Sequence, residues 1–418
     1  MASTKKILGL HVNKVKLWTL LSDKVMLIAY AFLALAAIGV VDMVYERYFL
    51  LSANAFDAGI NPGSREVAAA MKEAVFGSGG EVKREAPWSL YIVNYMYMIY
   101  VGSGIIFIVA IAELLEVELI KKPAAGFLTL GLAMVIAGLF TIMMDLNVLN
   151  VHWMILSPQF GSGMWLMMPL YTVYIPLVML EIYLILNHNA EWIKKVAFMI
   201  IVVGVLVEFV EFYVQAKLFE MNHARHLWTT YPILPLYFMV SSFAASLAIM
   251  GIYTYLICKS TILAHILERA ALYFVMALGA YEAVAYLFID KKWAEIILFG
   301  DFKYYFYLYI ILAVIIPFAL LFKHYMNRYF KYLAAASIIL GTFLGKAIFI
   351  YGGNAYPMNN RFGIGFEKYY EYEEALEVIF FMPPWSEIAI VIGSVGVILF
   401  IFRVADLYLS VSIVEDKT

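Results

Sequence analysis

Asp145 and His152 stand seven residues apart at the end of an otherwise apolar run, TIMMDLNVLNVHWMI (141–155), and Glu208, Glu211 and Gln215 form an i, i+3, i+7 stripe in another. At helical spacing each set shares one face. Carboxylates held in apolar surroundings are suited to exchanging protons with a bound substrate. Glu282, Lys346, Glu387 and Asp42 interrupt further apolar runs. A lysine among them offers Coulomb attraction to a developing anion, or a structural ion pair with one of the acids. Asp42, close to Glu46 and Arg47, reads more simply as an interfacial group.

The elements that must carry these residues are membrane helices. Of 418 residues, 64% are hydrophobic and 14% charged, against roughly 45–50% and 25% in soluble domains. About 20 apolar residues cross a bilayer. Ten stretches qualify, near 25–51, 89–115, 124–150, 163–187, 194–218, 231–257, 266–289, 303–323, 330–352 and 384–409. The first run follows a basic stretch as a signal peptide would, but it is too long and carries Asp42, Glu46 and Arg47. It is read as a retained span. Lys121, Lys122, Lys194, Lys195, Lys259, Arg269, Lys323, Arg328 and Lys331 fall on the same side as the basic N-terminus. The positive-inside rule then puts both termini in the cytoplasm.

With that orientation, position along a helix becomes depth. Asp42, Asp145, Glu208, Glu211, Glu282, Lys346 and Glu387 all fall in the outer half of their spans, whereas Glu113, Glu116 and Glu181 sit near the cytoplasmic interface and are expected to hydrate there. Each buried charge costs roughly 2.5–3.5 kcal/mol on insertion scales, so a one-sided set implies a shared polar hollow opening outward. The long segments 52–88 and 353–383 lie on that face, the second with Glu371, Glu373, Glu374 and Glu377, and offer a surface for an extracytoplasmic partner. Pro169, Pro176, Pro232, Pro235 and Pro317 are expected to kink their helices.

Several chemistries are excluded or disfavoured. The single cysteine, Cys258, cannot form an intrachain disulfide or hold an iron–sulfur cluster. All seven histidines lie in loops or at helix ends, which disfavours a transmembrane bis-histidine haem. The near balance of 29 basic and 31 acidic residues gives no sign of nucleic-acid binding. No nucleotide-binding or hydrolase motif stands in a supporting context.

Four segments carry a resemblance. PWSLYIVNYMYMIYVGSGIIF (87–107), TIMMDLNVLNVHWMILSPQFGSGMWL (141–166), HLWTTYPILPLYFMVSSFAASLA (226–248) and MPPWSEIAIVIG (382–393) occur in the order seen in the NrfD/PsrC family, membrane subunits of polysulfide reductase-like complexes, which the chain resembles. The ten-helix count and the final MPPWSE segment are most similar to the branch of the DsrMKJOP (Hdr-like menaquinol oxidoreductase) membrane subunit, linked to sulfite reduction. The resemblance implies an all-α integral membrane fold of about ten transmembrane helices, two four-helix bundles (89–218 and 219–352) plus one flanking helix at each end (25–51, and the last helix with a cytoplasmic tail over 384–418). Residues 1–24 then form a cytoplasmic N-terminus, and 52–88 and 353–383 extracytoplasmic loops.

It also implies a menaquinone or other quinone, bound non-covalently near the extracytoplasmic face, with no haem or iron–sulfur cluster in this chain. The implied partners are lipid, a docked extracytoplasmic ferredoxin-like iron–sulfur subunit, a multihaem cytochrome c and further membrane subunits. On the residues, Asp145, Glu211, Glu387 and Glu208 are the candidate proton acceptors of a quinol oxidoreductase. Asn94, Tyr95, Ser103, His152 and His226 are candidate quinone contacts, and Lys346, Arg225 and Arg361 candidate stabilisers of an anionic quinone state. The arginine that the family carries after the aspartate is replaced here by the run Asn147, Val148, Leu149, and the second-helix histidine of several relatives has no counterpart. Two rival readings remain from sequence: a proton-coupled secondary transporter, which also uses buried acids and proline-broken helices, and a non-catalytic membrane anchor.

Overall fold

The computed structural model describes residues 4–7, 10–45, 88–145, 156–187, 191–221, 226–289, 291–322, 327–354 and 383–412. Ten helices in it are long and apolar enough to cross a membrane. They are α1 (Lys24–Val44), α2 (Leu90–Leu114), α3 (Ala124–Asp145), α4 (Gly163–Leu186), α5 (Glu191–Glu220), α6 (Leu234–Cys258), α7 (Thr261–Ala285), α8 (Lys303–Phe322), α9 (Arg328–Asn354) and α10 (Trp385–Leu409). One feature lies outside the helical expectation: Thr4–Ile7 and Leu10–Asn13 pair as a short antiparallel hairpin, β1 and β2.

Helix contacts define two rings. Helix α2 packs on α3, α3 on α4, α4 on α5, and α5 returns to α2; α6, α7, α8 and α9 close a second ring in the same way. The rings meet through α2 and α6, with α9 also reaching α2 and α5 reaching α6. Close approach at this seam follows from small residues, as is usual where lipid removes the hydrophobic drive between helices. A Cβ on Gly104 of α2 would collide with Ser246 of α6. Ser246 uses its hydroxyl to donate across the seam to the Val101 carbonyl at 2.8 Å. Tyr97 likewise donates to the Ile339 carbonyl of α9 at 3.0 Å.

The flanking helices, remote in sequence, lie side by side. Helices α1 and α10 form the most extensive pairing among the described residues, and α10 also rests on α3. Gly39, Gly393 and Gly396 make this possible, since a Cβ at Gly393 would lie 2.6 Å from the Ala36 nitrogen. At one end the pair is latched: Asp23, which caps α1 by accepting from the Val25 and Met26 amides, also accepts from Arg403 Nη2 of α10 at 2.7 Å. Asn13 of the hairpin donates to the Leu407 carbonyl at 3.0 Å and to Ser410 Oγ at 2.9 Å. Both ends of the described chain therefore lie on one face.

The prolines act unequally. Pro169 and Pro176 are inside α4. Pro235 occupies the first turn of α6, where its missing N–H is harmless, and Pro232 precedes that helix. Ahead of Pro317, α8 widens into a π-helical turn at Ile311–Ile315. Ser337 of α9 donates to the Leu312 carbonyl there at 2.6 Å, so a group loosened by the irregular turn is satisfied from a neighbouring helix.

Candidate functional site

A cavity of about 220 Å³ opens at the end of the first ring away from Lys121 and Lys122. All four helices of that ring contribute: Ile92 and Tyr95 from α2, Leu139, Ile142, Met143 and Asp145 from α3, Met167, Met168 and Tyr171 from α4, and Gln215, Leu218 and Phe219 from α5, with Trp88 at the rim. The space is an order of magnitude larger than the roughly 10–15 Å³ that admits one water. Its wall is apolar except for Asp145, Tyr95, Tyr171 and Gln215. Such a wall, with a few convergent polar groups, suits a flat hydrophobic ligand bearing oxygens.

Immediately behind the wall lies a buried carboxylate. Tyr171 donates to Glu211 Oε1 at 2.9 Å, and Gln215 donates both to that oxygen and to the Tyr171 hydroxyl. The Tyr95 hydroxyl neighbours that of Tyr171. One turn deeper, Tyr174 donates to Glu208 and stands 3.4 Å from Ser103 Oγ. Helices α4 and α5 run antiparallel, so Tyr171 and Tyr174 at i, i+3 meet Glu211 and Glu208 at i, i+3 as two rungs. Glu208, Glu211 and Gln215 are at most 2% exposed.

The residues singled out from sequence fall into separate places. Asp145, half-buried at the last turn of α3, and Tyr95 line the cavity, with Glu211 one hydrogen bond behind it. Glu208 and Ser103 lie deeper in the same ring. Asn94, one residue before Tyr95 and about 100° round the helix, faces elsewhere: it donates to Ser394 of α10 at 3.1 Å and to Thr141 of α3 at 3.5 Å. Glu387 is buried in the first turn of α10, outside the cavity wall.

Lys346 lies between the rings, 1% exposed, donating to Ser241 at 2.7 Å under the rings of Tyr237 and Phe238, 4.4 and 4.2 Å from its nitrogen, with Tyr100 at 5.3 Å. Glu282 faces the interior of the second ring and accepts from Tyr231 at 3.1 Å and Tyr309 at 2.6 Å. The single hollow expected for all the outer-half acids is therefore divided. His152, Arg225 and Arg361 lie outside the described residues, as do most of 52–88 and 353–383 and the acidic cluster; of His226 only the backbone, opening the short helix His226–Thr230, is described.

Two further differences bear on function. Glu181, expected to hydrate near the interface, is 4% exposed. Tyr171, Tyr174 and Trp88, absent from the sequence-derived site, form much of it. Their signal was the match between the Tyr171/Tyr174 and Glu208/Glu211 spacings. Trp88 stacks on Trp228 with centroids 4.8 Å apart, so the two tryptophans that precede the two helix blocks in sequence join the rings. Trp228 donates to the Phe349 carbonyl at 2.8 Å, and Asn354 to the Trp88 carbonyl at 2.8 Å.

Ten helices long and apolar enough to cross a membrane, with a cavity and buried carboxylates at one end of the first ring, define a multi-pass membrane protein. The chain matches the NrfD_2 (polysulfide reductase) family over residues 79–362 and belongs to that family. The match spans both rings and leaves α1 and α10 outside it. No protein of curated function matches the chain. It is thus a membrane subunit of a polysulfide reductase-type oxidoreductase complex, a family whose subunits bind quinones and work with iron–sulfur subunits.

Proposed function

We propose that the first-ring cavity is the quinol site of this subunit, on the extracytoplasmic side, and that menaquinol is its substrate. The observation that carries this reading is the cavity itself, an apolar slot among four helix ends with Tyr95, Tyr171, Gln215 and Asp145 in its wall. The side is supported by the basic residues at the opposite helix ends.

A bound quinol supplies two electrons and two protons to its surroundings. This chain's residues supply the rest. Met167, Met168, Leu139 and Phe219 present the surface against which a fused aromatic ring packs. Tyr95 and Gln215 offer hydrogen bonds to its oxygens. Asp145 and, through Tyr171, Glu211 hold and move the protons, and burial in the ring keeps bulk water from the exchange. Electrons leave to a partner iron–sulfur protein on the same face. Quinone reduction would use the same groups as donors.

Within the family, the ten-helix count and the MPPWSE segment before α10 support membership of the sulfite-reduction-linked menaquinol branch. The test is steric. In the purified complex, Leu139→Trp together with Met168→Trp fills the cavity, and turnover of a short-chain naphthoquinol analogue is expected to fall at least about tenfold. Turnover equal to wild type would contradict the placement of the site.

A further inference from the structure

We propose that the N-terminal hairpin and the short helix after it form a headgroup-level anchor for anionic phospholipid, with Lys14, Lys16 and Lys24 on the lipid phosphates and Leu17, Trp18 and Leu21 among the acyl chains. The anchor lies on the face opposite the cavity and is independent of what the cavity binds.

The chain enters α1 through a separate helix, Leu17–Ser22, which buries none of its side chains. At about 100° per residue, Leu17, Trp18, Leu20 and Leu21 cover one side of it and Lys16, Thr19 and Ser22 the other. The apolar side is open: Leu17 is 72% and Trp18 73% exposed. Asp23, in extended conformation between the two helices, breaks the axis, so this helix does not prolong the span. Length sets its level in the bilayer. The 21 residues of α1 make about 30 Å of helix, the thickness of the hydrocarbon core. The residues immediately before Lys24 therefore stand among the headgroups, where the apolar side of an amphipathic helix is covered by lipid.

Charge decides which lipid. Residues 1–22 hold Lys5, Lys6, Lys14 and Lys16 and no aspartate or glutamate. Lys14, Lys16 and Lys24 are exposed, and none of the three forms an ion pair among the described residues. The first acid in the chain, Asp23, is taken by Arg403, which also holds Asp406. Uncompensated lysines beside an interfacial apolar surface attract anionic headgroups, and their effects accumulate.

The lysines are also held in place. Asn13 ties the hairpin to the Leu407 carbonyl and Ser410 at the end of α10. Tyr30 of α1 donates to the Leu20 carbonyl at 3.4 Å, and its ring lies 6.3 Å from that of Phe400 on α10. The end of α10 in turn rests on the start of α3, where a Cβ on Gly126 would come within 3.0 Å of the Val411 carbonyl. A phospholipid bound here clamps α1 and α10, the pair outside the family match, against the first ring.

The experiment places the intact complex in phosphatidylcholine vesicles that contain brominated phosphatidylglycerol or, at the same mole fraction, brominated phosphatidylcholine. Quenching of Trp18 is read as the difference between wild type and Trp18→Phe. It is expected to be at least about threefold stronger with the anionic lipid, to become equal for the two lipids when Lys14→Gln, Lys16→Gln and Lys24→Gln are combined, and to keep its preference when the same three positions carry arginine. Equal quenching by the two lipids in the wild type overturns the anchor, as does a preference that survives the three glutamines or is lost with the three arginines. Quenching of Trp18 by neither lipid shows that protein covers it and also overturns the anchor.

Discussion

The two four-helix rings bury similar groups and treat them differently. In the second ring the two charges buried in the described residues are both answered: Glu282 accepts from two tyrosine hydroxyls, Lys346 has Ser241 and three aromatic faces, and the space beside Glu282 is about 10 Å³. In the first ring three glutamates keep an unanswered oxygen and the neighbouring space is about 220 Å³. Buried polar groups that are fully satisfied lock a structure, while half-satisfied ones tend to mark chemistry. This contrast is what the proposed quinol site leads one to expect: stability from the second ring and exchange in the first.

Exchanging the acids for amides gives the sharpest contrast. Glu211→Gln removes a proton acceptor one hydrogen bond from the cavity, and quinol turnover is expected to fall about 100-fold with little change in melting temperature. Glu282→Gln removes the carboxylate that accepts from Tyr231 and Tyr309, and the expected effect is a loss of about 2 kcal/mol in stability with turnover per folded molecule retained. Turnover assays and thermal unfolding of the two variants decide the matter; if both behave alike, the division between the rings fails.

A smaller effect belongs to the latch between α1 and α10, outside both rings. The Arg403 guanidinium beside Asp23 holds its carboxyl below the usual carboxylate range. A depressed pKa contributes stability above the unfolded-state value of roughly 4, and that contribution disappears as pH falls through the folded-state value. Arg403→Gln is therefore expected to lower stability by about 1 kcal/mol at neutral pH, and by progressively less in acid, as melting curves across that pH range would show. Quinol turnover should not follow the same trend.

Much of this architecture was legible in the sequence, because a run of about 20 apolar residues has few other fates. The ten apolar stretches stand against ten helices long and apolar enough to cross a membrane, with 25–51 and 124–150 running beyond the described ends of α1 and α3, and the family resemblance pointed to the correct family. What depth along a helix could not supply was rotation about it. Asn94 and Tyr95 lie at the same depth, yet one braces α10 and the other lines the cavity. From sequence, Glu387 and Glu211 both read as outer-half acids, but they belong to different groups of helices.

Glu181 shows the opposite error: proximity to a helix end suggested water, while packing inside the ring removed it from water. That the two rings stack on each other through Trp88 and Trp228 depends on the tertiary arrangement. Lys346 could be read from sequence as a counter-ion for an acid or for a ligand. The aromatic enclosure that keeps it from the cavity is built by three residues distant in the chain.

The measurement that bears most directly on the division of labour is photolabelling of the intact complex with an azido-naphthoquinone, followed by peptide mapping. Label is expected on the outer ends of α2 to α5, at residues such as Leu139, Met167, Met168 and Leu218, and to be displaced by excess menadione. Displaceable label concentrated on α6 to α9 instead would contradict the account.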